Sequence, residues 1–136
     1  GAEQPWLIEV VAGLCEPDEA AHLTARRELQ EETGLDTKVL IPIASYWVSP
    51  GGSSEKVHAY CALVDSSKAQ TYAGLASEGE NIAIRKFPRT TLEDALSQGI
   101  LNNSATILCT QWLALNHENI KNKVNNTEKV DEWIYF

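Results

Sequence analysis

Cysteine is scarce in this chain of 136 residues: Cys15, Cys61 and Cys109 form an odd, widely spaced set without a Cys-x-x-Cys pair. That pattern offers neither a zinc site nor a redox loop, and it reads as buried, reduced thiols. Long apolar runs are missing too. No window approaches the roughly 18 consecutive apolar residues of a membrane span, and the opening Gly-Ala-Glu-Gln-Pro has no basic segment leading into an apolar one. No membrane partner is therefore expected, and the cytoplasm is the expected compartment. Basic charge is short: 11 Lys and Arg stand against 19 Asp and Glu, a net charge of −8. A protein that grips nucleic acid by neutralising phosphates would need the opposite balance, whereas a nucleotide-sized molecule carrying its own divalent cation is compatible with it. Internal repeats and low-complexity segments are also absent. In a cytosolic chain the sequons Asn102-Asn103-Ser104 and Asn125-Asn126-Thr127 are chance matches. The length suits one domain, with enough core to do without disulfide or metal staples.

The chain is organised around Gly13 to Leu35, GLCEPDEAAHLTARRELQEETGL. On a helical wheel Ala21, Ala25 and Leu29 share one arc about 80° wide, the natural core face. Glu28 and Glu32 fall on or beside the same arc. A solvated helix keeps its acids opposite the apolar stripe, and buried carboxylates need a cation. Hard ions such as Mg²⁺ take carboxylate and water oxygens together with substrate phosphates, and Glu28, Glu31 and Glu32 supply that donor chemistry. Arg27 lies one turn from Glu31 and can orient it. A helix is predicted from about Glu19 to Thr33, with Asp18 as N-cap and Gly34 as its stop. Taken alone, Glu-Leu-Gln-Glu-Glu would also suit an ordinary charged helix end in water.

The full spacing decides between these readings. It resembles the Nudix box, a glycine, a glutamate, Arg-Glu-apolar, Glu-Glu and Gly-apolar at fixed intervals, here Gly13, Glu19, Arg27, Glu28, Leu29, Glu31, Glu32, Gly34 and Leu35. The resemblance implies an α/β fold, a Nudix-type α/β/α sandwich with a mixed β-sheet. It implies Mg²⁺, with Mn²⁺ as a substitute, held by Glu28, Glu31 and Glu32 with the backbone carbonyl of Ala12. Glu19 and Arg27 would support them, Arg27 being counted with the catalytic set.

Around this stretch, Trp6 to Gly13 reads as a strand leading into the box. Lys38 to Val48 reads as one or two strands interrupted by Pro42, which suits an edge or a bulge. Ser49-Pro-Gly-Gly-Ser-Ser-Glu55 is a loop by composition. Pro50 stands 16 positions beyond Gly34, which resembles the proline marking the ADP-ribose pyrophosphatase branch of the family. There the loop approaches the terminal ribose, so Pro50, Gly51 and Glu55 become substrate-binding positions, although a plain glycine turn with a surface glutamate explains the same residues. Lys56 to Val64 is a further strand, and His58 within it reads as structural or exposed.

Gly74-Leu-Ala-Ser-Glu78-Gly-Glu80-Asn81-Ile82 precedes a predicted strand over 82–87. It resembles the loop that swings a general base into the site in the same branch, which puts the base on Glu78 with Glu80 second; an acidic surface loop is the plainer reading. Helices are predicted over 90–98 and 104–116, the second with Ile107, Leu108, Trp112, Leu113 and Leu115 as core-covering residues. A Nudix domain over 1–120 and a polar tail over 121–136 are expected. Relatives carry strands ahead of the position of Trp6 that supply dimer contacts and part of the base pocket, so the sequence is either a fragment or has something else in their place. A homodimer is allowed by the same resemblance. The activity implied is cleavage of a nucleoside diphosphate sugar, ADP-ribose to AMP and ribose 5-phosphate. A UDP-sugar or GDP-mannose pyrophosphatase, a non-catalytic Nudix nucleotide-binding module and a folded but inactive piece are the alternatives.

Overall fold

A computed structural model describes residues 18–52, 54–68, 72–73, 82–83, 85–125 and 133–135. Helix α1 (Ala21–Thr33) carries the predicted acids. Asp18 does not cap it. Its backbone is left-handed, φ 65°, a region that Asp tolerates better than most residues. Ala20 occupies the cap position without a side-chain bond, and its carbonyl accepts from the Leu23 and Thr24 amides. The other end follows the sequence. Gly34 is left-handed at φ 75° and its N–H donates to the Gln30 carbonyl at 2.8 Å, closing the last turn as only glycine does without strain.

Strands β1 (Val39–Trp47) and β2 (Lys56–Val64) form an antiparallel hairpin, in register from Val39 opposite Leu63 to Trp47 opposite Lys56. The register shifts between Pro42 and Ala44, where proline has no N–H to give the ladder. Beyond β2 come a single 3-10 turn at Ser66–Lys68 and the short antiparallel pair β3 (Tyr72–Ala73) and β4 (Ile82–Ala83). Helices α2 (Arg89–Ser97) and α3 (Ser104–Asn125) pack on each other. Strand β5 (Trp133–Tyr135) pairs antiparallel along β2, giving the order β1-β2-β5. Every strand pairing among the described residues is antiparallel.

Side chains alternate across β2 and so divide the interior in two. Cys61 and Leu63 cluster with Leu113 and Ile120 of α3, joined by Ile41, Ile43 and Trp112. Ala62 and Val64 point the other way and cluster with Leu29 of α1, Leu35 and Leu40. The period of two in a strand requires this division. Each large aliphatic side chain so buried is worth about 1.5–3 kcal/mol. Thr37 pins the connection out of α1: its buried hydroxyl donates to the Leu63 carbonyl at 2.6 Å and accepts from the Val39 amide at 3.1 Å.

Helix α3 departs from its prediction in two ways. It continues to Asn125 rather than ending at Asn116, because Ile120 prolongs the buried stripe begun by Cys109 and Leu113. Leu115 lies roughly 200° around the wheel from Leu113, and it is 84% exposed rather than in the core.

Candidate active site

Arg27 is the hub of the acid cluster. Its Nε donates to Glu19 Oε2 at 3.1 Å and its Nη2 to Glu19 Oε1 at 3.0 Å, while Nη1 donates to Glu28 Oε1 at 2.9 Å and to Glu31 Oε2 at 3.3 Å. One planar fork thus fixes three carboxylates that would otherwise repel one another, the geometry at which arginine excels. Hydrogen bonding to Glu19 raises the Arg27 pKa most; burial opposes this, and the charges of Glu19, Glu28 and Glu31 add to the rise. Next to the hub, Arg26 and Asp36 form an exposed bidentate pair, 2.9 and 3.2 Å. The Asp36 carboxyl is held below its ordinary range chiefly by the Arg26 hydrogen bond, with the Thr37 amide next. Such an exposed pair contributes little to stability.

The helix also sets where the acids stand. Glu28 and Glu32 lie on the arc between buried Thr24 on one side and buried Leu29 and Thr33 on the other, and both are half-buried. The Glu28 side chain is 15% exposed, unusual for a carboxylate unless it is paired. Oxygen-only donors one turn apart on a half-buried face suit a hard divalent cation. Among the described residues, no three His, Cys, Asp or Glu side chains are gathered into a ligand set by themselves. Glu28 and Glu31 are turned to the guanidinium instead.

Ala12, Glu78 and Glu80 lie outside the described residues. Pro50, Gly51 and Glu55 sit on the turn that closes the β1–β2 hairpin, where the Val48 amide donates to the Glu55 carbonyl at 3.1 Å and the Gly52 amide to the Ser49 carbonyl at 3.2 Å. α1 packs at the other end of the hairpin, against Leu40, Ala62 and Val64. At about 3.3 Å per residue, the turn is roughly 20 Å along β2 from that contact. His58 is exposed, its Nδ1 2.8 Å from Ser45 Oγ on the facing strand. An open cleft between β1 and α3, lined by Ile41, Trp112, Asn116 and Ile120, lies on the sheet face turned away from α1. Thr24 is the residue that sequence reasoning missed. It is 5% exposed, and its hydroxyl donates to Glu19 Oε1 at 2.8 Å; its place on the wheel beside Glu28 was the available signal.

The chain matches the NUDIX domain over residues 1–133. It is 38% identical over 122 residues to an ADP-ribose pyrophosphatase of Escherichia coli, covering 90% of this chain and 58% of that protein. To the ADP-ribose pyrophosphatase of Haemophilus influenzae it is 36% identical over 117 residues, 86% of this chain and 54% of the relative. To a GDP-mannose pyrophosphatase of Salmonella arizonae it is 33% identical over 118 residues, 86% of this chain and 60% of the relative. The chain therefore spans little more than half the length of these curated relatives. With its box helix built and its acids gathered on Arg27, and with the match running over nearly the whole length, the chain belongs to the NUDIX domain family.

Proposed function

We propose that this domain hydrolyses the pyrophosphate bond of a nucleoside diphosphate sugar, ADP-ribose and water giving AMP and ribose 5-phosphate. The observation that carries the reading is the half-buried pair Glu28 and Glu32 on the core-side arc of α1, with Glu28 braced by Arg27. Similarity to two ADP-ribose pyrophosphatases supports the choice of substrate.

In this reading Glu28, Glu31 and Glu32, with the Ala12 carbonyl, hold Mg²⁺ or Mn²⁺. When bound, the cation neutralises the diphosphate and makes a water acidic at neutral pH. Arg27 keeps Glu28 and Glu31 aimed and spaced, and Glu19 keeps Arg27 from swinging away. Glu78, with Glu80 as the second choice, accepts the proton of the attacking water; the water oxygen then bonds to phosphorus as the bridging P–O bond breaks, its electron pair leaving with the departing phosphate. Pro50, Gly51 and Glu55 face the terminal ribose. An α/β/α sandwich around a mixed sheet belongs to the same reading, supported by α1 and α3 packing against opposite sides of β2. So do a Nudix domain over 1–120 with a tail over 121–136, a cytoplasmic location and a homodimer. Among the described residues no helix is long and apolar enough to cross a membrane.

A second reading, turnover of GDP-mannose, is favoured by the similarity to the Salmonella arizonae protein. Hydrolysis of ADP-ribose, GDP-mannose and UDP-glucose with and without Mg²⁺ separates the two. Metal-dependent release of AMP from ADP-ribose supports the proposal, and turnover of GDP-mannose alone replaces it. Glu32→Gln should lower kcat by orders of magnitude. Unchanged turnover in that variant would remove the metal site from Glu32, and a wild-type domain that binds ADP-ribose without cleaving it would be a sensor.

A further inference from the structure

Thr24 belongs to none of the box positions, yet it is 5% exposed and sits in the first turns of α1 within reach of the acids. Its hydroxyl has two acceptors within range: the Ala20 carbonyl at 3.4 Å and Glu19 Oε1 at 2.8 Å. A threonine buried in a helix normally satisfies itself by the first route, bonding back four residues. Here the one hydroxyl proton goes to the nearer and charged acceptor, since bonds to a carboxylate are shorter and stronger than bonds to a neutral carbonyl.

Glu19 Oε1 thereby receives Thr24 Oγ1 and Arg27 Nη2 together, while Oε2 receives Arg27 Nε. Three donors from two residues fix the carboxylate plane. That plane fixes the guanidinium, because a bidentate pair leaves it little freedom to rotate. The remaining nitrogen, Nη1, then points at Glu28 Oε1 and Glu31 Oε2. The chain of contact runs Thr24, Glu19, Arg27, Glu28 and Glu31, without interruption and within one helix and the residues just ahead of it.

We infer that Thr24 is a positioning residue for the cation site: its hydroxyl sets the Glu19–Arg27 fork, and through it the aim of the carboxylates Glu28 and Glu31. This rests on the proposed function insofar as those acids hold a divalent cation. A valine at this place would keep the shape and the burial but leave Glu19 one donor short.

The test reads cation binding without turnover. Free Mn²⁺ is followed by electron paramagnetic resonance as it is titrated into wild type, Thr24→Val, Thr24→Ser and the same valine change in a Glu19→Ala background, which removes the acceptor of the Thr24 hydroxyl. Urea midpoints monitor the fold, and Thr24→Ala substitutes for valine if that variant does not fold. Thr24→Val should bind Mn²⁺ about tenfold more weakly, the lower end of the effect of residues that support metal ligands. Thr24→Ser should bind as wild type does, and in the Glu19→Ala background the valine change should add little. Wild-type affinity in Thr24→Val overturns the inference while leaving the proposed function standing. So does a serine variant as weak as valine, or a valine effect that persists undiminished without Glu19, since either would trace the loss to packing. Wild type that binds no Mn²⁺ overturns the proposed function along with the inference.

Discussion

Arg27 holds Glu19 through two nitrogens of one guanidinium, at 3.1 and 3.0 Å, and spends the third on Glu28 and Glu31. No lysine can do this, because an ammonium is a point charge on a flexible stem and cannot reach three carboxylates in a fixed plane. Arg27→Lys should keep the charge and the helix but lower kcat on ADP-ribose about 10- to 100-fold, the range for partners that orient metal ligands. KM should move much less. Steady-state kinetics at saturating Mg²⁺ checks the split, and a loss confined to KM would show that Arg27 serves binding.

Gly34 ends the box helix at φ 75°. Any side chain there must sit in the left-handed region, at a cost of about 1 kcal/mol for alanine. Gly34→Ala should therefore lower the unfolding free energy by about that amount in urea titrations, and Gly34→Asn by less, since asparagine tolerates this backbone better. Equal losses in both variants would trace the cost to lost space rather than to backbone conformation.

Burial pushes the Cys61 thiol up to about 12, the nearness of Cys109 adding to it, and burial alone pushes Cys109 up to about 12, from an ordinary 9.0. Both stay protonated and inert at neutral pH. A thiol reagent near neutrality should label neither in the native protein and both once urea unfolds it, as read by peptide mass spectrometry. Because the folded state holds these protons more tightly, the stability they contribute is complete below pH 9.0 and is lost as pH rises toward about 12. The alkaline fall in the urea midpoint should be smaller in Cys61→Ala than in wild type.

The helix that carries the acids was legible because period and punctuation agree there: apolar residues recur on one arc and Gly34 supplies the stop. Strand β2 was legible for the same reason, from Lys56 to Val64. Buried threonines were not. Thr24, Thr33, Thr37, Thr106 and Thr110 all lie in the interior, but a polar residue type gives a hydropathy pattern no hint of burial. At Thr37 the hydroxyl reaches the Leu63 carbonyl, 26 positions away, a partner that only the folded chain supplies. Leu115 failed in the opposite sense, since an apolar residue type says nothing of which side of a helix it occupies. In the site, the bracing of Glu31 by Arg27 followed from helical spacing, whereas that of the adjacent Glu28 did not. The grip on Glu19 needed the turn around Asp18 to bring that side chain over the helix, and no spacing rule contains that turn.

Strand β2 is a party wall with a tenant on each side: Cys61 and Leu63 serve the room of α3, Ala62 and Val64 that of α1. Adding or deleting one residue upstream within it would exchange the occupants of both rooms in a single step. Variation along this strand must therefore proceed by swapping side chains at constant length, with length changes confined to the turn at Ser49–Glu55.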